Sequence, residues 1–160
     1  MKIFWLIFLL PTCIVAQDST RDENKQLVFS AFVDAYYGYD FNKPEDHKRP
    51  SFLYNFNRTN EFNINLAYIK ASHQSEKTRL NLAIAAGTYM QANYAEEPAL
   101  LQFVLEANLG LRLSKKNNIW LDIGIMPSHL GFEGPISSDC WTLSRSMAAE
   151  NSPYFQTGAR

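Results

Sequence analysis

The chain has 160 residues, 46% hydrophobic and 14% aromatic, with a formal net charge of −1. That much apolar and aromatic surface excludes a disordered chain, and 15 Lys+Arg against 16 Asp+Glu leave no basic footprint for nucleic acid. Two cysteines exclude a disulfide framework or a Cys-rich zinc site, and beyond the N-terminus no apolar run reaches the roughly 18 residues of a membrane-spanning helix.

Residues 1–16 read as an address. Lys2 precedes a short apolar stretch from Ile3 to Leu10, Pro11 breaks it, and the small Ala16 precedes a polar run. This is the layout of a secretory signal peptide cleaved after Ala16. A membrane anchor would need about twice that apolar length, and a lipoprotein reading on Cys13 has poor residues, Pro11 and Thr12, before the cysteine. Cleavage removes Cys13 and leaves Cys140 alone, so no internal disulfide is expected in the exported chain. Residues 17–26 form a polar segment without pattern.

From Leu27 the chain alternates with a period of two, the signature of strands whose successive side chains point to opposite faces. Leu27, Phe29, Ala31, Val33, Ala35, Tyr37, Tyr39 and Phe41 oppose Ser30, Asp34, Gly38 and Asp40. In the second segment Phe62, Ile64, Leu66 and Tyr68 oppose Glu61, Asn63, Asn65 and Ala67; in the third, Leu80, Leu82, Ile84, Ala86 and Met90 oppose Arg79 and Asn81. The fourth, from Leu101 to Ser114, sets its leucines, Leu105 and Leu109 among them, against Glu106, Asn108, Gly110 and Arg112. The fifth sets Ile119, Leu121, Ile123 and Ile125 against Trp120, Asp122 and Gly124. Charged residues keep to the polar parity except Lys70, expected at a strand end where its amine can snorkel. The connections alternate between longer (42–60 and 127–152, with 92–98 of middle length) and short (72–77, 115–118). In the last, Ser138 or Asp139 is expected to cap a helix over 140–149.

Alternation alone also fits a soluble sandwich. Three features favour a membrane barrel: strands longer than the ~5–6 residue mode that reach the ~9–11 needed to cross a bilayer, aromatics crowded at strand ends, and short turns alternating with long loops behind a signal peptide. The fold class expected is therefore an all-β, antiparallel, up-and-down transmembrane barrel with the apolar parity outward. Five strands are readable and a sixth begins near Tyr154. Because barrels of this kind have an even number of strands, at least eight, residues 27–160 read as the N-terminal portion of a larger barrel, forming an open sheet with exposed edges.

Four stretches also resemble the OmpL-like outer-membrane β-barrel porins: Phe32-Val-Asp-Ala-Tyr-Tyr-Gly-Tyr39, Tyr54-Asn-Phe-Asn-Arg-Thr-Asn-Glu-Phe-Asn-Ile-Asn-Leu-Ala-Tyr68, Met126-Pro-Ser-His-Leu-Gly-Phe-Glu133 and Trp141-Thr-Leu-Ser-Arg-Ser-Met-Ala-Ala-Glu-Asn-Ser-Pro-Tyr154. The resemblance implies a Gram-negative outer-membrane location and passive passage of small hydrophilic solutes. Its implied partners are outer-membrane lipid and the barrel-assembly machinery. Two other functions stay open: a non-conducting barrel serving as adhesin or scaffold, and a secreted β-sandwich binding protein.

No enzyme is expected. His47, His73 and His129 lack ligand spacing, and no GxSxG, P-loop or GxGxxG occurs, so neither a metal nor another cofactor is implied. His129, Asp139, Cys140 and Ser144 share one loop and read as solvated side chains. The pore-lining candidates are Asp34, Arg79, Glu106, Arg112 and Asp122, whose mixed signs imply weak ion preference. Trp141 and Arg145 are the candidates for a constriction, if the loop after the fifth strand folds into the mouth.

Overall fold

The computed structural model describes residues 26–160. The expected signal peptide, 1–16, and the polar segment up to residue 25 lie outside the described residues. Six strands form one antiparallel sheet in sequence order: β1 (Gln26–Tyr37), β2 (Phe62–Gln74), β3 (Thr78–Ala86), β4 (Val104–Ser114), β5 (Ile119–Pro127) and β6 (Phe155–Ala159). Each strand pairs with its chain neighbours, and β1 and β6 are the open edges. The sixth strand starts one residue after Tyr154, where it was expected.

The period of two becomes two unlike faces. On one, Phe29, Val33, Ile69, Ile84, Leu113 and Ile123 are each more than half exposed. On the other lie the six charged residues of the strands: Asp34, Lys70, Arg79, Glu106, Arg112 and Asp122. The pairing fixes this placement, because residues opposed across antiparallel strands share a face. One row runs Ser30, Lys70, Ala83, Glu106; another runs Gln74, Arg79, Gly110, Asp122. Arg112 sits two residues beyond Gly110 and opposes Trp120.

Irregularities break the alternation and correct three expectations. Asp34 opposes Leu66 while Ala35 opposes Ile64, so Asn65 is an extra residue in β2. A bulge of this kind turns two consecutive side chains to one side, and Asn65 and Leu66 are both fully buried. From Leu66 on, the even residues of β2 therefore lie on the polar face. Leu66 and Tyr68 do not face outward, and Lys70 is no end-of-strand exception but a mid-strand residue of the polar face. Leu105 is a second extra residue, between the pairs Ala83–Glu106 and Ile84–Val104, and it packs against the buried core instead of joining Leu109 outside.

Three elements are also shorter than their patterns. β1 ends at Tyr37, so Tyr39 and Phe41 lie beyond it. β3 ends at Ala86, and Met90 is buried from a helix, α1 (Thr88–Asn93), rather than from a strand. Leu101–Phe103 is a 3-10 turn ahead of β4. The helix expected over 140–149 reduces to a 3-10 turn at Ser137–Asp139 and α2 (Met147–Glu150). Its cap is Ser146, whose hydroxyl accepts from the Ala149 N–H at 3.2 Å, since the intervening residues are held by side chain to backbone bonds outside helical geometry.

The core gathers at the long-loop end of the polar face. Tyr89, Met90 and Tyr94 from α1 and the chain after it, with Ala149 and Tyr154 from the last long loop, bury Leu66 and Ala85 of the sheet. Their rings meet edge-on or tilted, Tyr89 with Tyr94 at 6.3 Å and with Tyr154 at 5.8 Å, and Tyr94 stacks on Phe155 at 4.4 Å.

Candidate functional site

The polar face carries two ion pairs of one design. Lys70 on β2 reaches across Ala83 on β3 to Glu106 on β4, Nζ to Oε2 at 2.5 Å. Arg79 on β3 reaches across Gly110 on β4 to Asp122 on β5, with Nε donating to Oδ1 at 2.7 Å and a second bond from Nη2 to Oδ2. Each pair skips a strand, so the residue between must be small. A Cβ on Gly110 would fall on the Asp122 carboxylate and within 2.5 Å of Arg79 Cγ. Gly124 is required for a different reason. It adopts φ 130°, and its missing Cβ would collide with the Ala107 carbonyl oxygen.

Glu106 is completed by Asn108, whose amide donates to its other oxygen at 2.8 Å, and Asn81 in turn donates to Asn108 at 3.0 Å. Arg79 and Arg112 both lie over the Trp120 ring, at 4.7 and 5.7 Å. Arg112 has no carboxylate partner among the described residues; it donates to the Asn118 side chain at 3.2 Å and to turn carbonyls. Arg79, Asn81, Arg112, Asn118 and Trp120, together with His73, Glu76 and Ser72, line an open groove of about 770 Å³ at the short-turn end.

At the other end the loops lock onto the sheet through Glu150. Its buried carboxylate accepts from the Tyr54 N–H at 2.8 Å, the Asn55 N–H at 3.2 Å and the Asn55 amide at 3.1 Å. Asn55 accepts from Asn65, which also donates to Asp34 at 3.3 Å. One chain of hydrogen bonds thus ties the last long loop to the first and then to β2 and β1. Burial pushes the Tyr94 and Tyr154 phenols well above their usual range. On the first loop, the Arg58 guanidinium donates to Glu61 at 2.6 Å and holds its carboxyl below the ordinary value.

The five pore-lining candidates all sit on this face, spread along it rather than gathered at one point. The two constriction candidates separate. Arg145 is buried, donating to the Gly134 and Pro135 carbonyls and lying over Phe56 at 5.8 Å, so it braces the loop. Trp141 is fully exposed. Cys140 donates weakly to the Gly134 and Ile136 carbonyls, and His129 meets Gln156 rather than Ser144. Lys70, Trp120 and Glu150 are parts of the arrangement that pattern reading missed. Lys70 had a signal: a lone cation on the apolar parity of a strand marks a slip in that parity. Glu150 had none, because its partners lie far away in sequence.

The segment over 134–139 covers the Lys70–Glu106 pair and leaves a cavity of about 450 Å³ walled by Tyr68, Tyr94, Leu105 and Tyr154. Among the described residues no three His, Cys, Asp or Glu side chains gather as a metal site. The arrangement offers fixed charges and hydrogen-bonding groups along a wall.

No curated protein and no solved structure matches the chain. The family described as Putative beta-barrel porin-2, OmpL-like, matches residues 26–160. That span holds all six strands, the two faces and every loop that covers them, and porin-like barrels of this kind belong to the outer membrane. The chain is a member of this OmpL-like β-barrel porin family.

Proposed function

We propose that the protein forms a water-filled channel in the outer membrane for passive diffusion of small hydrophilic solutes. One observation carries the reading: the six charged strand residues share a face, and the opposite face exposes a broad apolar surface with none. A charge on the lipid side near mid-bilayer costs about 2–4 kcal/mol, whereas in a water-filled lumen it is tolerated. A contiguous exposed apolar face of this kind marks an interaction or membrane surface, and lipid is the partner that suits it. Asp34, Arg79, Glu106, Arg112 and Asp122, with Lys70, then line the lumen. The reading includes cleavage after Ala16 and insertion by the barrel-assembly machinery.

The alternative of a non-conducting barrel, an adhesin or scaffold, has one observation in its favour: the tyrosine core fills the long-loop end of the polar face. Planar-bilayer recording of the full-length protein decides between them. Stepwise openings are expected; silence from protein shown to be folded would favour the scaffold.

A further inference from the structure

The six charged residues of the polar face are not arranged uniformly along the strands. The Lys70–Glu106 row is neutral, and in the next row Arg79 is matched by Asp122, which Arg160 also approaches at 3.9 Å. The residues left without an ion partner among the described residues stand at opposite ends. Asp34 lies toward the long loops and is met by the neutral Asn65. Arg112 lies at the short-turn end and is met by Asn118 and backbone carbonyls.

The connections repeat this polarity. The turns 75–77 and 115–118 carry Lys77, Lys115 and Lys116 against the single carboxylate of Glu76, itself bonded to Lys115 at 2.5 Å. The long connection over 87–103 carries Glu96 and Glu97 and no cation, and that over 128–154 carries Glu133, Asp139 and Glu150 against Arg145. The first long loop is balanced. Arg145 is turned into the loop interior, while Asp139 is exposed beside the cavity over the Lys70–Glu106 pair.

We propose that the polar wall is polarised along its axis, positive at the short-turn mouth and negative at the long-loop mouth. The groove between Arg79, Arg112 and Trp120 collects small anions, and the long-loop mouth collects cations. This rests on the channel reading for its consequence, which is rectification. Current is larger when the long-loop side is held positive, because cations then enter from the negative mouth and anions from the positive one. Fixed charges act over the Debye length, ~10 Å at 0.1 M salt and ~3 Å at 1 M, so the asymmetry belongs to low salt.

Two measurements on the full-length protein test this separately. In planar bilayers at 0.1 M KCl the currents at opposite voltages should differ by about twofold, the size expected for a few unit charges near a narrow aqueous path. The difference should vanish at 1 M KCl and shrink in Arg112→Gln and in Asp34→Asn. Lys116→Gln, an exposed turn residue, should shrink it too and guards against an Arg112 variant that fails to fold. Rectification unchanged by all three variants, or a linear response at low salt, would overturn the proposal.

The second measurement needs no conduction. In a background with Cys13 and Cys140 replaced by serine, Ser72→Cys in the short-turn groove and Ser138→Cys, exposed beside Asp139 in the last long loop, are labelled with a sulfonate-bearing and a trimethylammonium-bearing methanethiosulfonate. The anionic-to-cationic rate ratio should be several-fold higher at the Ser72 position, and equal ratios would sink the idea. A silent protein with unequal ratios would refute the channel reading while supporting the polarity.

Discussion

The two ends of the polar face are built from the same strands by the same alternation, yet one is a packed core and the other an open, hydrated groove. At the long-loop end Leu66 and Ala85 stand where a lumen would call for polar side chains, and Tyr89, Tyr94 and Tyr154 cover them. At the short-turn end the corresponding positions are Asn81, Asn108 and Arg79, and among the described residues no loop folds over them; they bond to one another and to neighbours on the sheet. Connection length makes the difference. A segment such as 87–103 can carry apolar side chains back over the sheet, whereas the turns 75–77 and 115–118 close at once and cannot reach. Apolar residues on a barrel's inner wall therefore mark where its loops fold in.

Three changes would break or sharpen this contrast. The largest effect is expected from Tyr89→Ala, which empties a fully buried site at the packed end. Large aromatic truncations in cores cost about 3–5 kcal/mol, and denaturant unfolding in detergent should show that loss, while Asn81→Ala at the open end should cost much less.

Gly110→Val should have an intermediate effect. The new side chain would enter the space through which Arg79 reaches Asp122, and overpacking of this kind costs about 1–3 kcal/mol. Its unfolding midpoint should fall, and removing the obstacle's target with Asp122→Asn should make the two changes less than additive. Additive losses would show that the crossing is not the reason glycine is there.

The smallest effect concerns pH. Glu61 and Glu76 stand at opposite ends, each held below the ordinary value of 4.5 by a hydrogen bond from a cation, Arg58 for one and Lys115 for the other. A carboxyl whose folded value is depressed contributes stability that is present above 4.5 and lost as pH falls through the lowered value. Water reaches both pairs, the first half-buried and the second exposed, so the loss is small. Unfolding midpoints measured downward from pH 5 should decline less steeply in Glu61→Gln and in Glu76→Gln than in the parent.

The strands, their order and the two-faced sheet were legible in the residues because alternation is a local property. Each strand shows it without reference to its neighbours, and short turns force neighbours to pair. The placing of Asp34, Arg79, Glu106, Arg112 and Asp122 on one side followed from that alone. The bulges did not follow, because an extra residue is defined by the register between two strands. Asn65 and Leu105 look like ordinary members of their strands until Asp34 is set opposite Leu66 and Ala83 opposite Glu106, which leaves each of them unpaired in the register. The real position of Lys70 depends on the first of these bulges, and its partner Glu106 depends on Ala83 being small and lying between them.

The loops divide in the same way. Their lengths could be read from the chain, but not the cap of the last short helix, which is Ser146 and neither Ser138 nor Asp139, nor the Glu150 carboxylate closing on Tyr54 and Asn55. Nor could the separation of Arg145 from Trp141, four residues apart, one buried and one in solvent. The sequence by itself determined which face each regular stretch presents, since that needs only a period of two. The tertiary structure decided which charges meet and which end of the wall is filled, because those depend on distances between residues that only the folded sheet brings together.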